Sequence, residues 1–88
     1  MAQDLSDEER VLKLIERARL LIAIDDEMPA ELKLNTQPML KMLEAEISSE
    51  SVDERRASSY YSALYTDLSS YPDIEALLSA MRVFLAYL

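Results

Sequence analysis

Glycine, cysteine, histidine and tryptophan are all missing from this 88-residue chain. Each absence closes off a class of chemistry. Glycine supplies left-handed turns and close backbone approach to phosphates, so a glycine-rich phosphate loop and the tight glycine hairpins are excluded. Without histidine or cysteine there is no imidazole base, no thiol nucleophile and no ordinary zinc ligand set. The cysteine count also removes any disulfide framework and fits the reducing cytoplasm, where we expect the protein to act. Long apolar runs are missing too. The longest, Leu20 to Ile24, is far too short to span a bilayer, so membrane insertion is not expected. Met1 through Glu9 is acidic and reads as neither a secretory signal nor a transit peptide.

What is present is helix chemistry. Half of the residues are hydrophobic, and 17 acids stand against 9 bases for a formal net charge of −8. That balance disfavours nucleic acid and anionic membranes, both of which need a protein that neutralises phosphates. It favours a basic protein partner. A chain of this size makes one domain, residues 1–88.

Start signals bracket four helices. Ser6-Asp7-Glu8-Glu9 is a capping box, in which Ser6 and Glu9 satisfy each other's free amides. Val11, Leu14, Ile15, Ala18, Leu21 and Ile22 follow at helical spacing, and Asp25-Asp26-Glu27 with Met28-Pro29 ends the run, which predicts a helix over 7–24. Residues 29–37 read as a connector. Asn35 and Thr36 are good caps and Pro38 suits a first turn, so the second helix is predicted over 38–49. Ser51-Val52-Asp53-Glu54 reads as another capping box and opens a helix over 52–69. Ser70-Tyr71-Pro72-Asp73 opens the last one, over 72–87. No strand pattern competes. The short connections make neighbours antiparallel, and the expected fold is all-α, a compact antiparallel four-helix bundle.

Few constellations rise above this frame. The carboxylates gather at helix ends beside other acids and not in convergent pairs, so no catalytic residue is expected. Asp25-Asp26-Glu27 with Glu31 lacks the alternating ligands and tight turn of a calcium loop, and reads as a solvated helix end. No metal or cofactor is expected. Arg10, Lys13 and Arg17 form a basic stripe on the first helix, with Glu9 placed to pair with Lys13. The acidic helical composition suggests an acyl carrier protein, but Asp4-Leu5-Ser6 and Asp67-Leu68-Ser69 both have the attachment motif in the wrong order.

The candidate protein-binding residues are Tyr60, Tyr65, Val83, Phe84 and Tyr87. Tyrosine offers large contact area at low entropic cost and is enriched at interfaces. In Met81 to Leu88, the residues Val83, Phe84, Leu85, Tyr87 and Leu88 are too many for one stripe, so this helix is either buried on two sides or meets another molecule. The chain stops without a polar tail, which fits an end that docks in a groove or one cut from a longer protein.

Met39-Leu40-Lys41-Met42-Leu43-Glu44 with Ile47-Ser48, followed by Asp53-Glu54-Arg55-Arg56-Ala57, resembles the small bacteriocin immunity proteins of the enterocin A and pediocin type. The resemblance covers about half the chain and implies a cytosolic antiparallel four-helix bundle that protects the producing cell from its own peptide. Members are lysine-rich with a basic tail, whereas this chain is acidic with an apolar end. The expected function is non-enzymatic protein binding by a small regulator, inhibitor, chaperone or immunity-like protein. The alternatives are a structural homodimer, with Tyr60 and Phe84 in a self-complementary patch, and an acidic nucleic-acid mimic.

Overall fold

In the computed structural model, which describes residues 6–86, the first helix begins as its capping box dictates. The Ser6 hydroxyl accepts the Glu9 amide at 3.1 Å, and the Ser6 amide donates back to the Glu9 carboxylate at 3.4 Å. The helices are α1 (Asp7–Ile24), α2 (Ala30–Ile47), α3 (Glu54–Leu68) and α4 (Pro72–Leu85). Together they form the expected all-α, antiparallel four-helix bundle, with α1 packed on α2 and α4, and α3 packed on the same two. Its radius of gyration is 12.8 Å and its extents are 38 × 33 × 16 Å. No described residue has a positive φ, so the turns among them are built from right-handed and extended conformers alone.

Each helix buries one stripe. Val11, Ile15, Ala18 and Ile22 come from α1, and Thr36, Leu40, Leu43 and Ile47 from α2. Ala57, Tyr61, Leu64 and Leu68 come from α3, and Ile74, Leu78 and Met81 from α4. Full burial of each large aliphatic contributes on the order of 1.5–3 kcal/mol against the ordering entropy. Thr36, the one buried polar residue among those described, donates its hydroxyl to the Leu32 carbonyl at 2.8 Å.

The start of α2 corrects the sequence reading. The expected connector over 29–37 is helical from Ala30, and Asn35, Thr36 and Pro38 are interior residues, not caps or a first turn. The reason is tertiary. Met28 is buried and pins the turn, and Asp25 Oδ1 accepts the Glu27 and Met28 amides at 2.9 and 3.0 Å. The Gln37 side-chain amide then donates to the Arg19 carbonyl at 3.0 Å, and the Lys33 ammonium to the Ala23 carbonyl at 3.4 Å. A step of four residues forward on α2 is thus four back on α1, which gives the antiparallel register. Lys33 also places a cation at the C-terminal end of α1, where no basic residue occupies the last turn. Pro38 and Leu34 are both exposed, so the carbonyl that loses its amide partner lies on the solvent side.

The start of α3 is a smaller correction. Ser51 does not cap it, and the helix begins at Glu54, not 52. Asp53 is the cap, accepting the Arg55 and Arg56 amides at 3.0 and 3.2 Å. The Asp53 amide is itself held by the Glu46 carboxylate at 3.0 Å, and Arg56 approaches Glu46 at 3.7 Å and Asp53 at 3.9 Å. Glu46 on α2 therefore fixes where α3 can start. The C-terminal residues of the helix expected over 72–87 extend beyond the described range at Tyr87.

A proline in a helix interior costs about 3 kcal/mol relative to alanine. Replacing Pro38 by alanine should therefore stabilise the fold by about 1–3 kcal/mol, seen as a higher urea midpoint at unchanged slope. A lower midpoint would mean that the proline ring is itself required for packing.

Candidate protein-binding surface

Tyrosines and one arginine organise the pairing of α3 with α4. The buried Tyr61 donates its hydroxyl to the Leu78 carbonyl across the seam. One turn on, Tyr65 donates to Glu75 Oε2 at 3.0 Å, and the Ser79 hydroxyl donates to the same oxygen at 2.6 Å. The two rings stack with centroids 6.1 Å apart at 29°. The Arg82 guanidinium lies over both, 5.7 Å from the Tyr61 centroid and 5.3 Å from that of Tyr65. Such cation–π contacts at an accessible site contribute about 0.5–1 kcal/mol.

The electrostatics follow from these contacts. Burial pushes the Tyr61 phenol above its ordinary value, and the Arg82 guanidinium offsets part of that rise. The hydrogen bonds from Ser79 and then Tyr65 hold the Glu75 carboxyl below the usual carboxylate range. Beside this network a groove of about 450 Å³ opens between the start of α3 and the end of α4. Val52, Ala57, Tyr61 and Leu85 give it apolar walls, Ser58 and Ser62 a hydroxyl rim, and Glu54 and Arg82 one charge of each sign.

The structure divides the candidate residues among different surfaces. Tyr65 belongs to the α3–α4 network, but Tyr60 lies about 140° from it around α3, half-buried against the core on the flank away from α4. Phe84 lies about 160° around α4 from Arg82 and packs toward α1, where the Arg10 guanidinium sits 5.3 Å from its ring centroid. Tyr60 and Phe84 thus do not share one patch. Val83, between these two flanks, is 59% exposed. Tyr87 lies outside the described residues. On α4, Leu85 continues the stripe of Leu78 and Met81, Phe84 packs on the core from the α1 side, and Val83 is left in solvent.

The other residues singled out in the sequence lie elsewhere in the fold. Arg10, Lys13 and Arg17 line a second groove of about 480 Å³ between α1 and α4, with Leu14, Leu20 and Phe84. Asp25 is engaged in its turn, and among the described residues no three carboxylates gather as a metal site. No described helix is long and apolar enough to cross a membrane. Sequence reasoning missed Leu20, Ile24, Leu34 and Met42, which are all substantially exposed. The signal was the run Leu20 to Ile24, because five consecutive apolar residues sweep more than one helical turn and cannot all face inward. Comparison with protein-family models, curated proteins and solved structures finds no match.

The lowered Glu75 pKa carries a pH prediction. A carboxylate held low contributes stability that is present above its unfolded pKa and lost as pH falls through its folded value. Glu75→Gln should therefore lower the urea midpoint modestly at neutral pH, with the difference from wild type shrinking below the ordinary carboxylate range. An equal deficit at both pH values would assign the effect to geometry, not charge.

Proposed function

We propose that this chain is a non-enzymatic, cytoplasmic protein-binding module that takes a segment of its partner into the groove between α3 and α4. The observation that carries the reading is the make-up of that groove: a Tyr61 wall, an accessible Arg82 and a serine rim over apolar Val52 and Leu85. Tyrosine and arginine beside a small apolar pocket are the residue types that dominate binding energy at protein interfaces. The exposed Val83 extends apolar surface on the same helix. A net charge of −8 suits a partner with an excess of basic residues. An immunity protein is one member of this class, and the antiparallel four-helix bundle is the architecture that the resemblance implies.

Ser58 and Ser62 are exposed on the rim, so changing both to arginine fills the groove without touching the core. The partner recovered by tagged wild-type chain from its native host should bind this double variant at least about tenfold more weakly, at unchanged helical circular dichroism. Equal recovery by both proteins would remove the α3–α4 groove from the binding site. Phe84 is a poorer probe, because it packs on the core and its loss costs stability.

A further inference from the structure

The groove between α1 and α4 runs against the charge of the rest of the molecule. The chain carries −8, yet three of its nine bases, Arg10, Lys13 and Arg17, line this one cleft of about 480 Å³. Leu14, Ala80 and Phe84 supply its apolar floor, with Leu20 at the end away from Arg10. Leu20 and, one turn on, Ile24 are 60% and 70% exposed, so the apolar surface continues past the cations toward the end of α1.

Among the described residues, ion pairs form only at Arg56, so none of these three cations is paired there. Glu9, spaced to pair with Lys13, instead spends its carboxylate on the cap of α1. Its Oε1 accepts the Ser6 amide at 3.4 Å and the Ser6 hydroxyl at 3.1 Å. Glu16 is the one acid among the described residues that line the groove. It stands about 120° around α1 from Arg10, the residue that lies over the Phe84 ring, whereas Arg17 falls within about 20° of Arg10. Glu16 is therefore on the outer rim, and Arg10 and Arg17 are on the α4 side. Like charges three and four residues apart also oppose helix formation, so this stripe is held against a local cost.

We propose that this groove is a second protein-binding site, and that its occupant is an acidic amphipathic helix of a partner protein. Arg10 to Arg17 spans about 10 Å along α1, too far for one anionic headgroup to meet all three charges. A helix lying alongside repeats carboxylates at that same spacing. It also keeps its own backbone bonded at a surface made of two helices, whose amides are already engaged. Its apolar side chains enter beside the cations, against Leu14, Ala80 and Phe84, and run on to Leu20 and Ile24. Nucleic acid and anionic membrane have no use for that floor, and both extend beyond the groove onto a surface that repels them. A short helix stays close to the cations, and the more distant acids are screened from it by salt. Phe84 and Arg82 point to nearly opposite sides of α4, so a ligand here leaves the α3–α4 groove open.

Fluorescence anisotropy tests the site with a labelled peptide about four helical turns long, bearing glutamates at the spacing of Arg10, Lys13 and Arg17 and leucines on the adjoining face. Wild type should bind it at least about tenfold more tightly than a counterpart with lysines in place of the glutamates. Lys13→Glu with Arg17→Glu should lose about tenfold or more of that affinity at unchanged helical content, since both side chains are in solvent. Lys41→Glu with Arg55→Glu makes the same change of charge at other exposed positions and should leave the affinity within about twofold. Leu20→Ser should weaken binding about threefold or more through lost apolar contact. A glutamate peptide that does not bind overturns the proposal. So does equal loss in the two charge-reversed pairs, which assigns binding to net charge alone. Indifference to Leu20→Ser, with tighter binding of duplex DNA or phosphatidylserine vesicles, gives the groove to a polyanion and overturns it as well.

Discussion

The first two turns of α2 rest on the end of α1, and most of what is distinctive in this protein depends on that contact. Two side chains, Gln37 and Lys33, reach across to carbonyls of Arg19 and Ala23. Buried Met28 and the turn held by Asp25 deliver the chain to the right place. With those anchors α2 is helical from Ala30, in spite of a proline in its interior. Without them the local preferences of residues 29–37 would favour a connector. The contact also decides which side chains are left out: Leu34 and Pro38 face solvent because Thr36 and Leu40 face the core.

The legible parts of the fold are those whose signals are local. The limits of α1 follow from a capping box at one end and an acidic run before Met28-Pro29 at the other, and both ends agree with the structure. Pro72 opens α4 because its missing amide costs nothing in a first turn. Asn35, Thr36 and Pro38 mislead for the same reason that the others inform. Their local preferences are real, and a long-range contact overrides them. Ser51 and Asp53 compete on more even terms, and Glu46, seven residues before Asp53, decides in favour of the aspartate.

The candidate surface was legible as residue types but not as geometry. Tyrosines and a crowded C-terminal helix announce a surface, and α3 and α4 do meet through Tyr61, Tyr65 and Arg82. Which side of each helix a residue takes depends on where the neighbours stand, and that separates Tyr60 from Tyr65 and Phe84 from Arg82. In sequence, Arg82 is a single arginine in an apolar run with no signal of its own. Its position over two rings is visible only once α3 and α4 are paired.

Among the described residues none is left-handed, which bears on how the chain tolerates change. Where a turn depends on glycine, almost any other side chain strains it, and the position is closed to variation. None of the turns described here has that dependence. Their specificity is lodged in a few side-chain caps, Ser6, Asp25 and Asp53. Most other loop positions can accept nearly any residue without backbone penalty. Outside these caps and buried Met28, the connecting segments can therefore vary while the bundle stays the same, and the unfolded chain, lacking glycine's extra freedom, has less backbone entropy to lose on folding.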